Sequence, residues 1–280
     1  MSFIHLQIFD YTQHGENWGG KCATGQKQSP IDINVSSLDI ENAKCLTYKF
    51  KYDGDAQQVK TINNLHSVEI EGHFMKMQIS DIYDKTAQYQ TAQFHVHEPS
   101  EHTLDGVYAD LELHLVNKKV EGDSSKPITV IGVLFQKTLY KEDESQLFKE
   151  FQWPAQVDQN HLKPTETSEY ELNFQQIFSS FLYDGAIAYR YEGSLTTPGC
   201  DEVVNWYVLR EAQKIHHSSY KKFKDLWFSV TGDNVYKTID GNNRKTQPLN
   251  GRAVEVVVFC FGFIQYFVFG ISLFLFVFIL

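Results

Sequence analysis

The run Gln93-Phe-His-Val-His-Glu-Pro-Ser-Glu-His102, followed by Asp110-Leu-Glu-Leu-His-Leu-Val116, decides how this chain folds. From Thr91 to Val96 polar and apolar residues alternate, which is the period of a half-buried strand. Side chains two apart share a face of a strand, so Gln93, His95 and His97 project together while Phe94 and Val96 face the core. The second run places Leu111, Leu113 and Leu115 on one face, and Glu112 and His114 on the other. Asp105-Gly106 between the two runs is turn chemistry. The simplest connection returns the second strand antiparallel to the first and brings a third imidazole to meet the first two.

Three neutral imidazoles on convergent faces are a sufficient ligand set for a catalytic zinc, because they leave a fourth tetrahedral position for water. A closed structural site uses four ligands, usually with cysteine. The four cysteines of this chain include no Cys-x-x-Cys pair. Gln93 and Glu112 sit two residues from His95 and His114 on the same faces, placed to accept the second ring N–H and fix each imidazole. Any one of these histidines alone reads as an ordinary core or surface residue. Their convergence carries the metal reading.

The same residues resemble the alpha-class carbonic anhydrases, of the membrane-associated type. Gln28-Ser-Pro-Ile-Asp-Ile33, Asn63-Asn64-Leu-His66, Gly193-Ser-Leu-Thr-Thr-Pro198, Asn205-Trp206 and Asn242-Asn-Arg-Lys-Thr-Gln-Pro-Leu249 stand in that family's order, from about Tyr11 to Val257. The resemblance implies a mostly β single domain: a large, twisted, mainly antiparallel sheet with short helices and a conical cleft. Zinc would sit in the cleft on His95, His97 and His114.

The implied reaction is the reversible hydration of carbon dioxide to bicarbonate and a proton, by attack of zinc-bound hydroxide. By the same resemblance Thr196 would orient the hydroxide and pass its own hydroxyl proton to Glu101. Val116, Val130, Leu195, Thr197, Val204 and Trp206 would make the substrate pocket. His66 would shuttle the proton, Tyr11 and Asn64 would order water on its path, and His102 would be structural rather than a fourth ligand. Without the family, Ser194, Thr196 and Thr197 are turn residues, the pocket residues are core, and His66 is a lone exposed histidine. Histidine is, however, the side chain whose ordinary pKa lies near a neutral working pH.

The remainder of the chain sets bounds. Its 280 residues, 42% hydrophobic, suit one large domain, expected over residues 11–257 after a segment 1–10. Helical spacing is read near Glu142 to Phe151 and from Val208 to His216. The net charge of −10 and the absence of any Lys/Arg cluster beyond Lys221-Lys222-Phe-Lys224 argue against a nucleic-acid partner.

Four cysteines allow three complete pairings. The resemblance implies Cys22–Cys200, which belongs to an oxidising compartment, and Asn34-Val-Ser36 is a glycosylation sequon. Residues 256–280 carry no charge and eight phenylalanines. As a helix they exceed the roughly 30 Å hydrocarbon core, so they read as a membrane segment, either a cleaved GPI signal or a retained anchor. The last strand of the family runs through Ala253 to Val257 straight into this stretch, leaving little polar spacer, which counts against GPI.

The first residues, Met1-Ser-Phe-Ile-His-Leu-Gln-Ile-Phe, show no signal-peptide pattern. This conflicts with an extracellular or lumenal catalytic domain, which is the expectation, and leaves a cytosolic tail-anchored arrangement as the alternative. Two functions compete: a zinc hydro-lyase, with esterase activity as a side reaction, and a binding or adhesion domain at a membrane surface. In the family the second accompanies loss of zinc ligands, and here all three are intact.

Overall fold

The structure is a computed structural model that describes residues 9–51, 57–72, 74, 76–80, 87–121, 126–156, 163–228 and 241–261. Among the described residues a sheet of thirteen strands organises it, ten of which frame the site: β1 (Lys44–Lys51), β2 (Gln57–Asn63), β3 (Val68–Gly72), β4 (Lys76–Ser80), β5 (Gln88–His97), β6 (Leu111–Glu121), β7 (Ile128–Thr138), β8 (Ile187–Gly193), β9 (Val204–Leu209) and β10 (Glu255–Phe261). The expected large, mainly antiparallel sheet is present.

β5 pairs antiparallel with β6, and β6 with β7. β7 continues to β9 in parallel, then β8 and β10 follow antiparallel. β10 lies parallel to β1, and β4 returns the pairing from β1 to β5. β3, flanked by β2, joins β5 further along the same edge.

Alternation along β6 and β7 sorts side chains into two apolar clusters. Phe94, Leu111, Leu113, Leu115, Ile131, Val133 and Phe135 pack on one side, under the helices Gln146–Glu150, Phe174–Ser179 and His217–Phe228. Val116, Val130, Tyr189, Tyr191, Val204 and Trp206 pack on the other. Fully burying each such side chain is worth about 1.5–3 kcal/mol, and together they set the strand register that aims the histidines.

Two elements differ from the sequence expectation. The stretch from Val208 to His216 is not helical: Val208 and Leu209 end β9, and Gln213–His216 is a further strand parallel to β7. Val208, Leu209 and Ile215 fit a helical spacing, but β7 offers an open edge whose backbone groups need partners, and the sheet takes the segment. The helix begins only at His217, where Phe223 is buried and Lys224 pairs with Glu98 at 3.2 Å.

The second difference is at the end of the chain. Val257–Phe261 pair with Lys44–Tyr48 of β1, and Val256–Val258 pair with Ile187–Tyr189 of β8. The first six residues of the uncharged stretch therefore belong to the sheet, and the domain extends past Val257. Residues 262–280 lie outside the described residues, as do His5, His73 and His161. Among the described residues no helix is long and apolar enough to cross a membrane. Cys22 is bonded to Cys200, and Cys45 of β1 to Cys260 of β10.

Candidate metal centre

His95 and His97 share one face of β5, and His114 stands opposite His95 on β6. Ring centroids are 4.9 Å apart for His95 and His97, 5.2 Å for His95 and His114, and 4.6 Å for His97 and His114. One ligand atom from each lies within 4.8 Å of the others.

The second nitrogen of each ring is committed to an acceptor. His95 Nδ1 donates to Gln93 Oε1 at 2.8 Å, His97 Nδ1 to the Asn242 carbonyl at 2.8 Å, and His114 Nε2 to Glu112 Oε1 at 2.9 Å. These acceptors fix the tautomers, leaving lone pairs on Nε2 of His95 and His97 and on Nδ1 of His114. Nε2 of His97 is buried and has no hydrogen-bond partner. A buried nitrogen with no hydrogen-bond partner, beside two further ring lone pairs, fits a set of metal ligands. The residues present fit zinc.

Burial holds these imidazoles neutral, the form that binds metal. It pushes His95 well below the ordinary histidine value, His97 to about 4, and His114 down as well. Burial acts to raise the Glu112 carboxyl, but His102 and His114 facing it outweigh that and hold it well below its usual range.

Glu112 is a hub. Its Oε2 accepts from the backbone N–H of Glu101 and of His102, both at 2.8 Å, and its Oε1 from His102 Nδ1 at 2.7 Å. The other nitrogen of His102 lies 2.6 Å from the Tyr191 hydroxyl. With both nitrogens occupied, His102 has no lone pair left for a metal.

Glu101 is fully buried behind the histidines, and its Oε1 accepts from the Arg244 backbone N–H at 2.8 Å. Burial pushes its carboxyl up to about 7, against the opposing pull of His114, the Thr196 hydroxyl and the Arg244 N–H. Thr196 stands on a loop that is tied down on several sides. Ser194 Oγ accepts from the Ser29 N–H at 2.9 Å, Trp206 Nε1 donates to the Ser194 carbonyl at 3.0 Å, and Cys200 is bonded to Cys22. Arg244, buried, donates to Gln28 Oε1 and to the carbonyls of Ser29 and Cys22. The scattered motifs of the sequence thus meet in one hydrogen-bonded block.

A cavity of about 520 Å³ opens above the three histidines. Val116, Val130, Leu195, Thr197 and Trp206 are among its lining; Val204 is fully buried in the same apolar cluster and does not reach the cavity. Tyr11, Asn64 and His66 line it too, together with Phe9, Glu69 and Glu71. Asn64 Nδ2 donates to Glu69 Oε2 at 3.1 Å. Burial raises the Tyr11 phenol well above its ordinary value, with Glu101 adding to it.

His66 departs from the reading as an exposed residue. It is half-buried, and burial pushes its pKa down to about 4.

The sequence reading missed four contributors. Glu69 and Glu71 were legible, since they alternate with the buried Val68 and Ile70. Phe9 carries no local signal. The Asn242 acceptor is a backbone carbonyl, and it is seated by Gly241: a Cβ there would lie 1.9 Å from the Glu98 carbonyl oxygen.

Residues 13–258 match the family model described as eukaryotic-type carbonic anhydrase. Among similar proteins, "Carbonic anhydrase 4" of Rattus norvegicus is 31% identical over 258 residues, covering 85% of this chain and 78% of that protein. "Alpha carbonic anhydrase 3" of Arabidopsis thaliana is 31% identical over 234 residues, covering 83% and 75%. Among solved structures, a halotolerant carbonic anhydrase from Dunaliella salina superposes with a TM-score of 0.64 at 25% identity, covering 89% of this chain and 97% of that one. The chain belongs to the carbonic anhydrase family, a zinc-dependent family, and is a carbonic anhydrase.

Proposed function

We propose that this carbonic anhydrase holds zinc on Nε2 of His95 and His97 and on Nδ1 of His114, and interconverts carbon dioxide with bicarbonate and a proton in the cavity above them. The observation that carries the reading is the buried, partnerless Nε2 of His97 beside two imidazoles whose other nitrogens are likewise committed. Zinc, when bound, supplies a Lewis acid that lowers the pKa of water at the open fourth position from 15.7 to about 7, the value known for carbonic anhydrases themselves.

The side chains of this protein do the rest. Gln93, the Asn242 carbonyl and Glu112 keep the ligand rings in their tautomers and orientations. Thr196 donates a hydrogen bond from its hydroxyl to Glu101 and so turns a lone pair toward the cavity, orienting the attacking oxygen. Val116, Val130, Leu195 and Trp206 form a dry lining on which an apolar substrate rests, with Thr197 also in the lining and Val204 packed in the same apolar cluster. His66 takes the proton on toward solvent, and Tyr11 and Asn64 order the water between.

The domain, residues 11–261 in this reading, is held at a membrane by residues 262–280, as a retained anchor, because β10 runs into that stretch without a polar spacer. Two disulfides and the exposed sequon residue Asn34 support an extracellular or lumenal side. Zinc analysis together with a stopped-flow carbon dioxide hydration assay tests the catalytic reading. One zinc per chain with hydration is expected; a folded protein that neither takes up zinc nor hydrates carbon dioxide would make it a binding domain instead.

A further inference from the structure

The uncharged residues 262–280 follow directly on β10, whose last residue is Phe261. Pairings across the sheet fix which other segments leave on that side. β8 is antiparallel to β10, with Ile187 opposite Val258, and β9 is antiparallel to β8, with Leu209 opposite Ala188. β7 is parallel to β9, with Gly132 opposite Val208. β7, β9 and β10 therefore point the same way, and the residues after Thr138 emerge at the end of the sheet from which residues 262–280 continue.

Three large side chains are exposed at that end. Leu139 and Tyr140, directly after β7, are 78% and 64% exposed, and Tyr183, just before β8, is 41% exposed. Tyr183 is tied to the end of β10: the Ala186 N–H donates to the Tyr183 carbonyl at 3.0 Å, and the Gly185 N–H to the Phe259 carbonyl at 2.8 Å. Its hydroxyl donates to Glu211 at 2.6 Å, just before the strand Gln213–His216 that pairs with Phe135–Thr138 of β7. The tip that carries Leu139 is pinned as well. The Tyr140 N–H donates to Thr138 Oγ1 at 3.1 Å, and the Tyr140 carbonyl accepts from the Asp143 N–H at 3.3 Å. Apolar residues scattered singly over a surface are ordinary. A leucine and two tyrosines beside the start of an uncharged tail have instead the composition of a bilayer interface, where tyrosine sets its ring against acyl chains and its hydroxyl among headgroups.

We propose that Leu139, Tyr140 and Tyr183 form a lipid-docking rim that seats this end of the domain on a bilayer surface. This rests on the reading of residues 262–280 as a retained membrane anchor. Three side chains by themselves hold lipid weakly, but once the tail is inserted the contact becomes intramolecular, and a weak contact then suffices to orient the domain. The exposed charges of the same segments carry both signs: Lys141, Glu142 and Asp143 follow Tyr140, and Asp184 follows Tyr183. Mixed charge suits zwitterionic headgroups, whereas anionic lipid is recognised by clustered lysines and arginines. Val130, which lines the cavity, precedes Leu139 by about 30 Å of strand at roughly 3.3 Å per residue. The rim is separate from the pocket.

All four cysteines are paired, so a single introduced cysteine takes a nitroxide label alone. The test uses the full-length chain in phosphatidylcholine vesicles with Leu139→Cys, or Tyr140→Cys should the first not fold, and Val120→Cys as the reference. Val120 is 55% exposed and lies at the other end of the sheet, past Lys118, which stands opposite Ile128 at the start of β7. Electron paramagnetic resonance reads collisions of the label with oxygen, which concentrates in hydrocarbon, and with a water-soluble nickel chelate. At position 139 the ratio of oxygen to chelate collisions is expected to exceed that at position 120 by about threefold or more, because a docked side chain sits at the boundary of headgroups and acyl chains. The ratio should not depend on added anionic lipid or on salt, and the hydration rate should be unchanged.

Position 139 as open to the chelate as position 120, in protein that floats with the vesicles, would overturn the docking rim and leave the anchor standing. Dipolar broadening between labelled copies, with no gain in oxygen collisions, would make the rim a contact between copies and overturn lipid docking. Protein that does not float with the vesicles would overturn the anchor, and the proposal with it.

Discussion

His95 and His114 are register partners in the antiparallel ladder between β5 and β6, with ring planes 87° apart. A slip of one residue would send His114 to the opposite face. Leu111, Leu113 and Leu115, all fully buried, hold the register that keeps it in place.

Replacing His114 by Ala should therefore abolish stoichiometric zinc binding and nearly all hydration activity, since two imidazoles leave the first shell incomplete. Metal analysis after dialysis and a stopped-flow assay check this. A variant with one zinc per chain and a normal rate would remove His114 from the ligand set.

Glu112→Gln is expected to lower zinc affinity by about 10- to 100-fold, because the charged acceptor for His114 is lost. It should also lower the melting temperature, as Glu112 accepts from two backbone N–H groups and from His102. Chelator competition and thermal melts measure the two effects. Unchanged affinity would show that His114 does not depend on Glu112 for its orientation.

Acid should act on zinc binding late. In an unfolded chain imidazoles take up protons as pH falls through about 6.5. Burial lowers the folded-site values, to about 4 for His97, so the folded site resists protonation until well below 6.5. The unfolded chain gains protons first, and the histidines' contribution to fold stability is lost as pH falls below about 6.5. While the protein stays folded, zinc affinity should change by less than about tenfold between pH 6.5 and 5. Three ordinary imidazoles would lose several orders of magnitude over that window. A steep loss beginning at pH 6.5 would contradict a site held neutral by burial.

The Cys22–Cys200 bond spans 178 residues in sequence and ties the loop carrying Thr196 to the N-terminal region. Cys200→Ser should cost about 2–5 kcal/mol of stability, read by chemical unfolding. Stability equal to the parent would mean that the bond does not constrain the fold.

Where the chain is cut at its end should matter. A chain ending at Phe261 keeps β10 and Cys260 and is expected to fold, stay in the supernatant and remain active, while the full chain sediments with membranes. A chain ending at Val257 removes most of the pairing between β10 and β1 and should fold poorly. Equal melting temperatures for the two shortened chains would show that β10 beyond Val257 is dispensable. Full-length protein that stays in the supernatant without detergent would count against the anchor.

The sequence by itself determined the mainly β architecture and the convergence of His95, His97 and His114, with Gln93 and Glu112 behind two of them. Each of these is a local matter: alternation with period two assigns a face, and short strands joined through a turn bring the faces together. Only the tertiary structure decided the acceptor for His97, a backbone carbonyl from residue 242, and the burial of Val204 away from the cavity. It alone also set the burial that carries His66 away from its ordinary pKa. The same holds for Val208–His216 and Val256–Phe261, whose apolar spacing alone suggested helix and membrane. An open edge of β7 and the gap between β1 and β8 claimed them as strands, because backbone groups at a sheet edge seek partners that local sequence does not reveal.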